Sequence, residues 1–487
     1  MFENDTIAAI ATGMTESGIG IIRISGNEAV EIGDKIFRSP SGKRILTLVQ
    51  SHKMYYGNIV ESVEDKETII DEVMIVVMKA PRSYTAEDIV EIQCHGGVLM
   101  MRKILEIVLR SGARLAEPGE FSKRAFLNGR MDLSEAEAVM DLIHAKNEAS
   151  LLTSMKQLKG SVSDKVKNLR EKIIYELAFI ESALDDPEHI SLDHYGEHLQ
   201  NVLEEMLSEI NRLLLSSKNG KLIKDGIKTV IVGKPNAGKS SLLNRLVGED
   251  KAIVTEIAGT TRDILEEQIN LNGISLHLID TAGIRSTEDK VEKIGVEKAK
   301  KYAGDADLII YVIDSSVPLD ENDKEIIRLI GKKKSIVLFN KSDLDTVVRE
   351  EDIYPYFFDR LSEKNDSEEG KTFTDISMKY EPLTIIKTSM KDETGMEEFE
   401  NAVKEMFFQG DISFEHEIFI TNIRHKELLE NTLNSLLEVK ESLEKYMPED
   451  FLTIDLMNAY VFLGRIIGEE VDDDLMDEIF HKFCLGK

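Results

Sequence analysis

The octapeptide Gly233-Lys234-Pro235-Asn236-Ala237-Gly238-Lys239-Ser240 constrains this chain more than any other stretch of it. It fits G-x-x-x-x-G-K-S, with the strand-like run Thr229 to Val232 before it and a helical pattern after it. A strand, a glycine-rich turn and a helix in that order build a phosphate cradle. The glycines let backbone amides curl around phosphate oxygens without a side-chain clash, and the helix N-terminus favours an anion. Lys239 then supplies a cation to the β- and γ-phosphates, and the Ser240 hydroxyl is a candidate Mg²⁺ ligand. Such a turn needs a sheet to carry it, and the neighbouring sequence predicts one. Runs at Thr229–Val232, Leu276–Ile279, Leu308–Ile313, Ile336–Phe339 and Thr384–Lys387 alternate with helical stretches, which indicates a mainly parallel sheet covered by helices. Asn272-Gly273, between Leu265–Leu271 and Ile274–Ile279, predicts a two-residue hairpin turn.

Three further motifs follow in the order expected of a GTPase. Asp280-Thr281-Ala282-Gly283 follows the second hairpin strand, where an acid can hold the Mg²⁺ shell and a glycine amide can sense a γ-phosphate. Asn340-Lys341-Ser342-Asp343 ends the strand-like run SIVLFN. A carboxylate there accepts two hydrogen bonds from guanine's ring NH and exocyclic amine, a donor pair that adenine lacks. Ser389, after the last strand, can complete the base pocket through its backbone amide. Between these motifs, Thr255-Glu256-Ile257-Ala258-Gly259-Thr260-Thr261 forms a switch-like loop, with Thr261 the candidate for closing on Mg²⁺ and Thr260 the alternative. Small GTPases of the Ras kind place a glutamine after D-x-x-G to orient water. This chain has Ile284 there, so another group must orient the water, and Glu292 is the nearest attractive acid. Taken alone, an acid in that setting is more often a solvated helix charge.

The rest of the 487 residues is organised differently. Residues 1 to about 125 are mixed, with strands expected at Ile19–Ile24 and Asp71–Met78 and a helix at Val98–Leu109. From about 130 to 215 the pattern is helical. Leu151, Met155, Leu158, Val162, Val166, Leu169, Ile173, Leu177, Ile180 and Leu184 recur at steps of three and four, predicting one apolar stripe on a long helix that Asp185-Asp186-Pro187 ends or kinks. Helical spacing returns after about 410, at Leu429, Leu433, Leu436 and Leu443. The expected layout is a multidomain α+β and α/β chain: an N-terminal α+β domain (1–125), a helical domain in two parts (126–222 and 410–487) and an α/β domain inserted at 223–409. Residues 344–382 are polar and acidic and read as a solvated surface insertion.

Charge and cysteine content narrow the function classes. Sixty Lys and Arg against ninety Asp and Glu leave a formal net charge of −30, so most of the surface should repel nucleic acid. If an RNA is the substrate, a local basic patch or a partner must hold it. Two cysteines, Cys94 and Cys484, exclude a disulfide scaffold or a four-cysteine metal site. The start MFENDTIAAIATG lacks a basic region followed by an apolar one, and no run of ~18 apolar residues appears, so a cytoplasmic protein without a membrane span is expected. Cys94 beside His95 imitates a nucleophile pair, but adjacent strand residues face opposite ways, which favours a buried structural cysteine.

Taken together, IIRISG at 21–26, YTAEDIVEIQCHGG at 84–97, EPGEFSKRAFLNGRMDLSEAEAV at 117–139, KPNAGKSSLLN with VTEIAGTTRD, and the terminal FCLGK at 483–487 resemble the MnmE (TrmE) tRNA-modification GTPases over essentially the whole chain. The resemblance implies a folate-binding, dimerising N-terminal domain, a discontinuous helical domain and an inserted Ras-like G domain. It implies a homodimer that works with the FAD-dependent flavoprotein MnmG (GidA), in a heterotetramer or larger, to attach an aminomethyl-type group at C5 of the wobble uridine of certain tRNAs. It further implies a guanine-nucleotide site over Asn236 to Ser241, the 255–261 loop, Asp280 to Gly283, Asn340 to Asp343 and Ser389. Mg²⁺ would lie at Ser240 and Thr261, and K⁺ at Asn236, Thr255, Ile257 and Thr260. Glu292 is placed as the acid that orients water. A tetrahydrofolate derivative, 5-formyl or methylene, would use Arg23, Glu87, Arg130 and Lys487. Cys484 in the tail is either a thiol near the modification chemistry or a small residue packing the tail. Era- or Der-like ribosome-assembly GTPases, which share the G motifs, are the alternative, and a nucleotide-gated scaffold is a third reading.

Overall fold

The computed structural model describes residues 5–64, 66–191, 194–247, 267–271, 274–279, 306–330, 333–358, 383–407, 418–469, 471, 473–483 and 486. The chain divides into two compact units: Met1–Met140 with Gln157–Leu207 and Leu428–Lys487, and Asp141–Lys156 with Ser208–Glu427. The switch-like loop Thr255–Thr261, the motif Asp280–Gly283, the acid Glu292, the hairpin turn Asn272-Gly273, Cys484 and Lys487 lie outside the described residues.

The first unit is built on a seven-stranded sheet in the order β3-β4-β5-β6-β2-β1-β7. Its strands are β1 (Ile7–Ile10), β2 (Ile19–Ser25), β3 (Phe37–Arg38), β4 (Met54–Val63), β5 (Lys66–Met78), β6 (Ile89–His95) and β7 (Arg114–Leu115). Alternation decides which face is covered. Ile22 and Ile24 of β2, Ile75 and Val77 of β5, and Val90 and Ile92 of β6 are buried together with Ile32 and Ile36 of helix Ala29–Ile36 and Met101, Ile104 and Val108 of helix Val98–Arg110. In the antiparallel register of β2 with β6, Arg23 stands opposite Glu91, off that apolar face, so this sheet carries charge where it carries no core. Cys94 is 4% exposed, and burial pushes its thiol up to about 11, whereas the neighbouring His95 side chain is 72% exposed. The pair therefore faces opposite ways and offers no activated nucleophile.

The helical sequence folds as two helices where one long stripe is expected. Glu148–Leu158 and Ser161–Asp185 are separated at Gly160, whose φ of +87° is left-handed. Leu151 and Met155, 45% and 37% exposed, do not continue the buried line of Val162, Val166, Leu169, Ile173, Leu177 and Ile180. Leu184, at the other end, is also exposed. Ser161–Asp185 stops just ahead of Pro187, and the C-terminal helices Ile423–Glu444, Glu449–Ile467 and Asp473–His481 complete the helical part.

The second unit carries a six-stranded sheet in the order β13-β12-β11-β8-β10-β9. Here β8 is Ile227–Val232, β9 Glu267–Leu271, β10 Ile274–Leu278, β11 Leu308–Asp314, β12 Ser335–Asn340 and β13 Thr384–Lys387. All neighbours are parallel except β9 and β10, whose antiparallel register pairs Leu271 with Ile274, as a two-residue connection requires. The central strands are buried on both faces. Ile231, Leu276, Leu338 and Phe399 fill one side, and Val230, Ile309, Tyr311, Ile327 and Phe339 fill the other. The acidic stretch after residue 344 is not wholly solvated: Val348 and Ile353 are buried in that second core, and residues 359–382 lie outside the described set. Among the described residues no helix is long and apolar enough to cross a membrane.

Candidate functional site

At the carboxyl edge of the second sheet, β8 runs into Gly233, and the loop passes through positive φ at Gly233 (+151°), Asn236 (+62°) and Gly238 (+103°) before helix Lys239–Val247 begins. Gly238 is fixed by crowding as well as by φ, because a Cβ there would lie 2.0 Å from Asn340 Nδ2. The first turn of the helix, with Ser240 and Ser241, follows directly, and Leu242 N donates to Gly238 O at 2.9 Å. Lys239 Nζ donates to the carbonyls of Gly233, at 2.8 Å, and of Lys234. Burial depresses its pKa to about 8. A buried ammonium held by two neutral carbonyls is poorly compensated, and phosphate oxygens are the partners that would restore its charge. On this observation the loop fits a nucleotide polyphosphate.

Asn340, the last residue of β12, ties this loop to the other motifs. Its Nδ2 donates to Ala237 O at 2.7 Å, and its Oδ1 accepts from Met390 N at 3.3 Å. Ser389 Oγ donates to Asp343 Oδ1 at 2.9 Å, and Ser342 N donates to Thr388 O at 3.1 Å. Lys341, at φ +62°, pairs its ammonium with Asp314 at the end of β11. The phosphate loop, Asn340 to Asp343 and Ser389 are thus linked at one end of the parallel sheet. That end is where open α/β sheets bind ligands. Sequence reasoning missed Lys234, whose ammonium reaches Asp320 and Asp323. The signal that could have shown the acids is the Asp-x-x-Asp cap opening helix Glu321–Ile330.

The other candidate residues gather in the first unit around Tyr84. The Arg23 and Arg130 guanidinium carbons lie 5.3 and 5.1 Å from the centre of its ring, and the Tyr84 hydroxyl is 2.8 Å from Ser122 Oγ. Arg23 also donates to Glu91 Oε1 at 2.7 Å and to Gly486 O at 3.2 Å. Glu87 accepts from Ser25 Oγ at 2.8 Å and from the buried Arg124 at 3.2 Å. Burial opposes the Arg124 charge, but Glu87, Asp5 and Glu120 outweigh it and hold its pKa above the ordinary value. Tyr84 and Arg124 were not singled out from the sequence, because their roles come from partners tens of residues away.

A phosphate loop joined through an asparagine side chain to an Asn-Lys-Ser-Asp turn on a parallel sheet defines a guanine-nucleotide-binding G domain. Comparison with known proteins is narrower. The family model described as the MnmE helical domain matches residues 133–484, and that of the GTP-binding protein TrmE N-terminus matches residues 6–130. The chain is 55% identical over 485 residues to a tRNA modification GTPase MnmE of Lachnoclostridium phytofermentans, with 100% of both chains covered. It is 46% identical to proteins of the same description from Acetivibrio thermocellus, over 487 residues, and Clostridioides difficile, over 488, again with 100% of both chains covered. The chain belongs to the MnmE family of tRNA modification GTPases.

Proposed function

We propose that this chain hydrolyses GTP to GDP and phosphate as a subunit of the complex that adds a carboxymethylaminomethyl or aminomethyl group to C5 of uridine 34 in certain tRNAs. The observation that carries the reading is the Asn340 side chain, which links the phosphate loop at Ala237 to the base-side loop at Met390. Asp343 would accept from the guanine edge, Ser389 would orient that carboxylate, and Lys239 would take the phosphates. Ser240 and Thr261 would hold Mg²⁺, and Asn236 with Thr255, Ile257 and Thr260 would hold K⁺. Both ions offset charge on the phosphates, a contribution worth ~10³–10⁵ in rate when an arginine finger makes it. Glu292 would orient water, since Ile284 cannot.

The first unit would bind a tetrahydrofolate through Arg23, Glu87, Arg130 and Lys487. Two cations on one aromatic ring suit a glutamate tail, and a carboxylate held by Ser25 and Arg124 suits a pterin donor edge. The folate would supply the one-carbon unit, and Cys484 would stand near that chemistry. The working assembly is a cytoplasmic homodimer with the flavoprotein MnmG, its domains bounded near 125, 222 and 409.

Two measurements test this. Expression of the chain in a strain lacking the gene should restore the modified wobble uridine, read by mass spectrometry of tRNA nucleosides; unmodified uridine despite normal expression rejects the tRNA assignment. GTP turnover, and G-domain pairing with GDP and aluminium fluoride, should be much greater in K⁺ than in Na⁺. Equal values in the two salts reject the cation site.

A further inference from the structure

Lys234 is the one charged side chain of the phosphate loop that the nucleotide reading leaves without a task. Its ammonium lies 2.6 Å from Asp323 Oδ2 and 3.1 Å from Asp320 Oδ2. Those acids form a reciprocal cap on helix Glu321–Ile330: Asp323 N donates to Asp320 Oδ1 at 3.1 Å, and Asp320 N donates to Asp323 Oδ2 at 3.0 Å. The Asp323 side chain is 2% exposed and also accepts the Tyr311 hydroxyl of β11 at 2.7 Å. Burial works against the Lys234 charge, but hydrogen bonds to Asp323 and Asp320 outweigh it and raise its pKa above the ordinary lysine value. At its other end, the Lys234 carbonyl accepts Lys239 Nζ, the cation that must turn to the phosphates. One residue is therefore gripped from the sheet and helix by its side chain and from the phosphate site by its backbone.

We propose that Lys234 is a positioning residue of the nucleotide site: it neutralises the Asp320–Asp323 pair beside the phosphate loop and fixes that loop's carbonyls against helix Glu321–Ile330. The inference rests on the GTP-binding reading of the loop. Its physical content is electrostatic. The two carboxylates stand a lysine side chain's length from the loop backbone, inside a Debye length of ~8 Å at physiological salt. Without the ammonium they face the polyphosphate as uncompensated anions, and Asp323 keeps only a phenol and an amide as buried donors.

The test measures affinity of the full chain for fluorescent GDP and GTP analogues at about 50 mM and about 300 mM salt, where screening differs strongly. Lys234→Met should weaken both nucleotides about tenfold at low salt and only about threefold at high salt, as expected for screened repulsion. It should raise KM and leave kcat at saturating GTP within about twofold, the signature of lost uniform binding. Lys234→Arg should bind like the wild type. Asp320→Asn in the Lys234→Met background should recover most of the loss, because asparagine caps a helix as well as aspartate but carries no charge. Should Lys234→Met not fold, Asp320→Asn alone decides: it should bind at least as tightly as the wild type, and weaker binding overturns the proposal. A Lys234→Met loss that ignores salt and is not relieved by Asp320→Asn marks a purely structural role and overturns it, as does unchanged affinity. Wild-type chain that binds neither nucleotide overturns the GTP reading as well, so the two failures are distinguishable.

Discussion

At the scale of the residue, Lys239 gives the nucleotide site a pH dependence of its own. Burial lowers its pKa to about 8, so near that pH roughly half of the nucleotide-free molecules lack the proton. Phosphate oxygens favour the charged ammonium, so nucleotide binding must take up the missing proton. The sign follows from linkage: uptake is small well below pH 8, is about half a proton at pH 8, and approaches one at pH 9, while affinity falls as pH rises. Calorimetry of GDP binding between pH 8 and 9, where the nucleotide's phosphates are fully ionised, should show enthalpies that depend on the ionisation heat of the buffer. Buffer-independent enthalpies at pH 9 are incompatible with a depressed Lys239. Across from it, Ser389 and Asn340 show the complementary economy, each using one side chain to hold a neighbouring motif in place.

At the scale of the element, Gly160 decides where helix ends and helix begins. Its φ of +87° is costly for a residue with a Cβ, which would also lie 3.3 Å from Glu135 Oε1. Gly160→Ala should destabilise the helical part by ~1–2 kcal/mol, and Gly160→Asn by less, since asparagine tolerates the left-handed region better. Urea denaturation of the two variants checks this; an alanine variant as stable as the wild type means that the break does not depend on the left-handed turn. The same position shows where sequence reading stops. Apolar spacing runs through Lys159-Gly160 without interruption, because steps of three and four fit each helix separately, and only a lone glycine marks the break. The parallel strands were legible for the opposite reason: burial on both faces demands the β-branched runs that announce them. So was the phosphate loop, whose backbone admits glycine where a Cβ would strike Asn340. The Lys234–Asp323 and Arg124–Glu87 pairs were not, since no local pattern states which distant acid a basic residue will meet.

At the scale of the whole molecule, charge governs how the chain can act on tRNA. The formal net charge is −30, and many of its cations are already committed: Arg23 to Glu91, Arg38 to Glu67, Arg114 and Arg124 to Asp5 and Glu120, Lys341 to Asp314. A nucleic-acid site gains most of its affinity by releasing counterions from phosphates, which takes several free Lys or Arg on one surface. A chain this acidic, with its cations so engaged, should hold tRNA poorly by itself and needs a partner to supply the basic surface. Filter binding or electrophoretic mobility shift at physiological salt should accordingly detect little complex between tRNA and this chain alone. Adding the flavoprotein should produce a complex containing all three components, and its affinity should fall steeply with salt, because the contacts it gains are to phosphates. Tight binding by the isolated chain, with a salt slope as steep as that of the three-component complex, runs against this division of labour and points to a basic site on the chain itself.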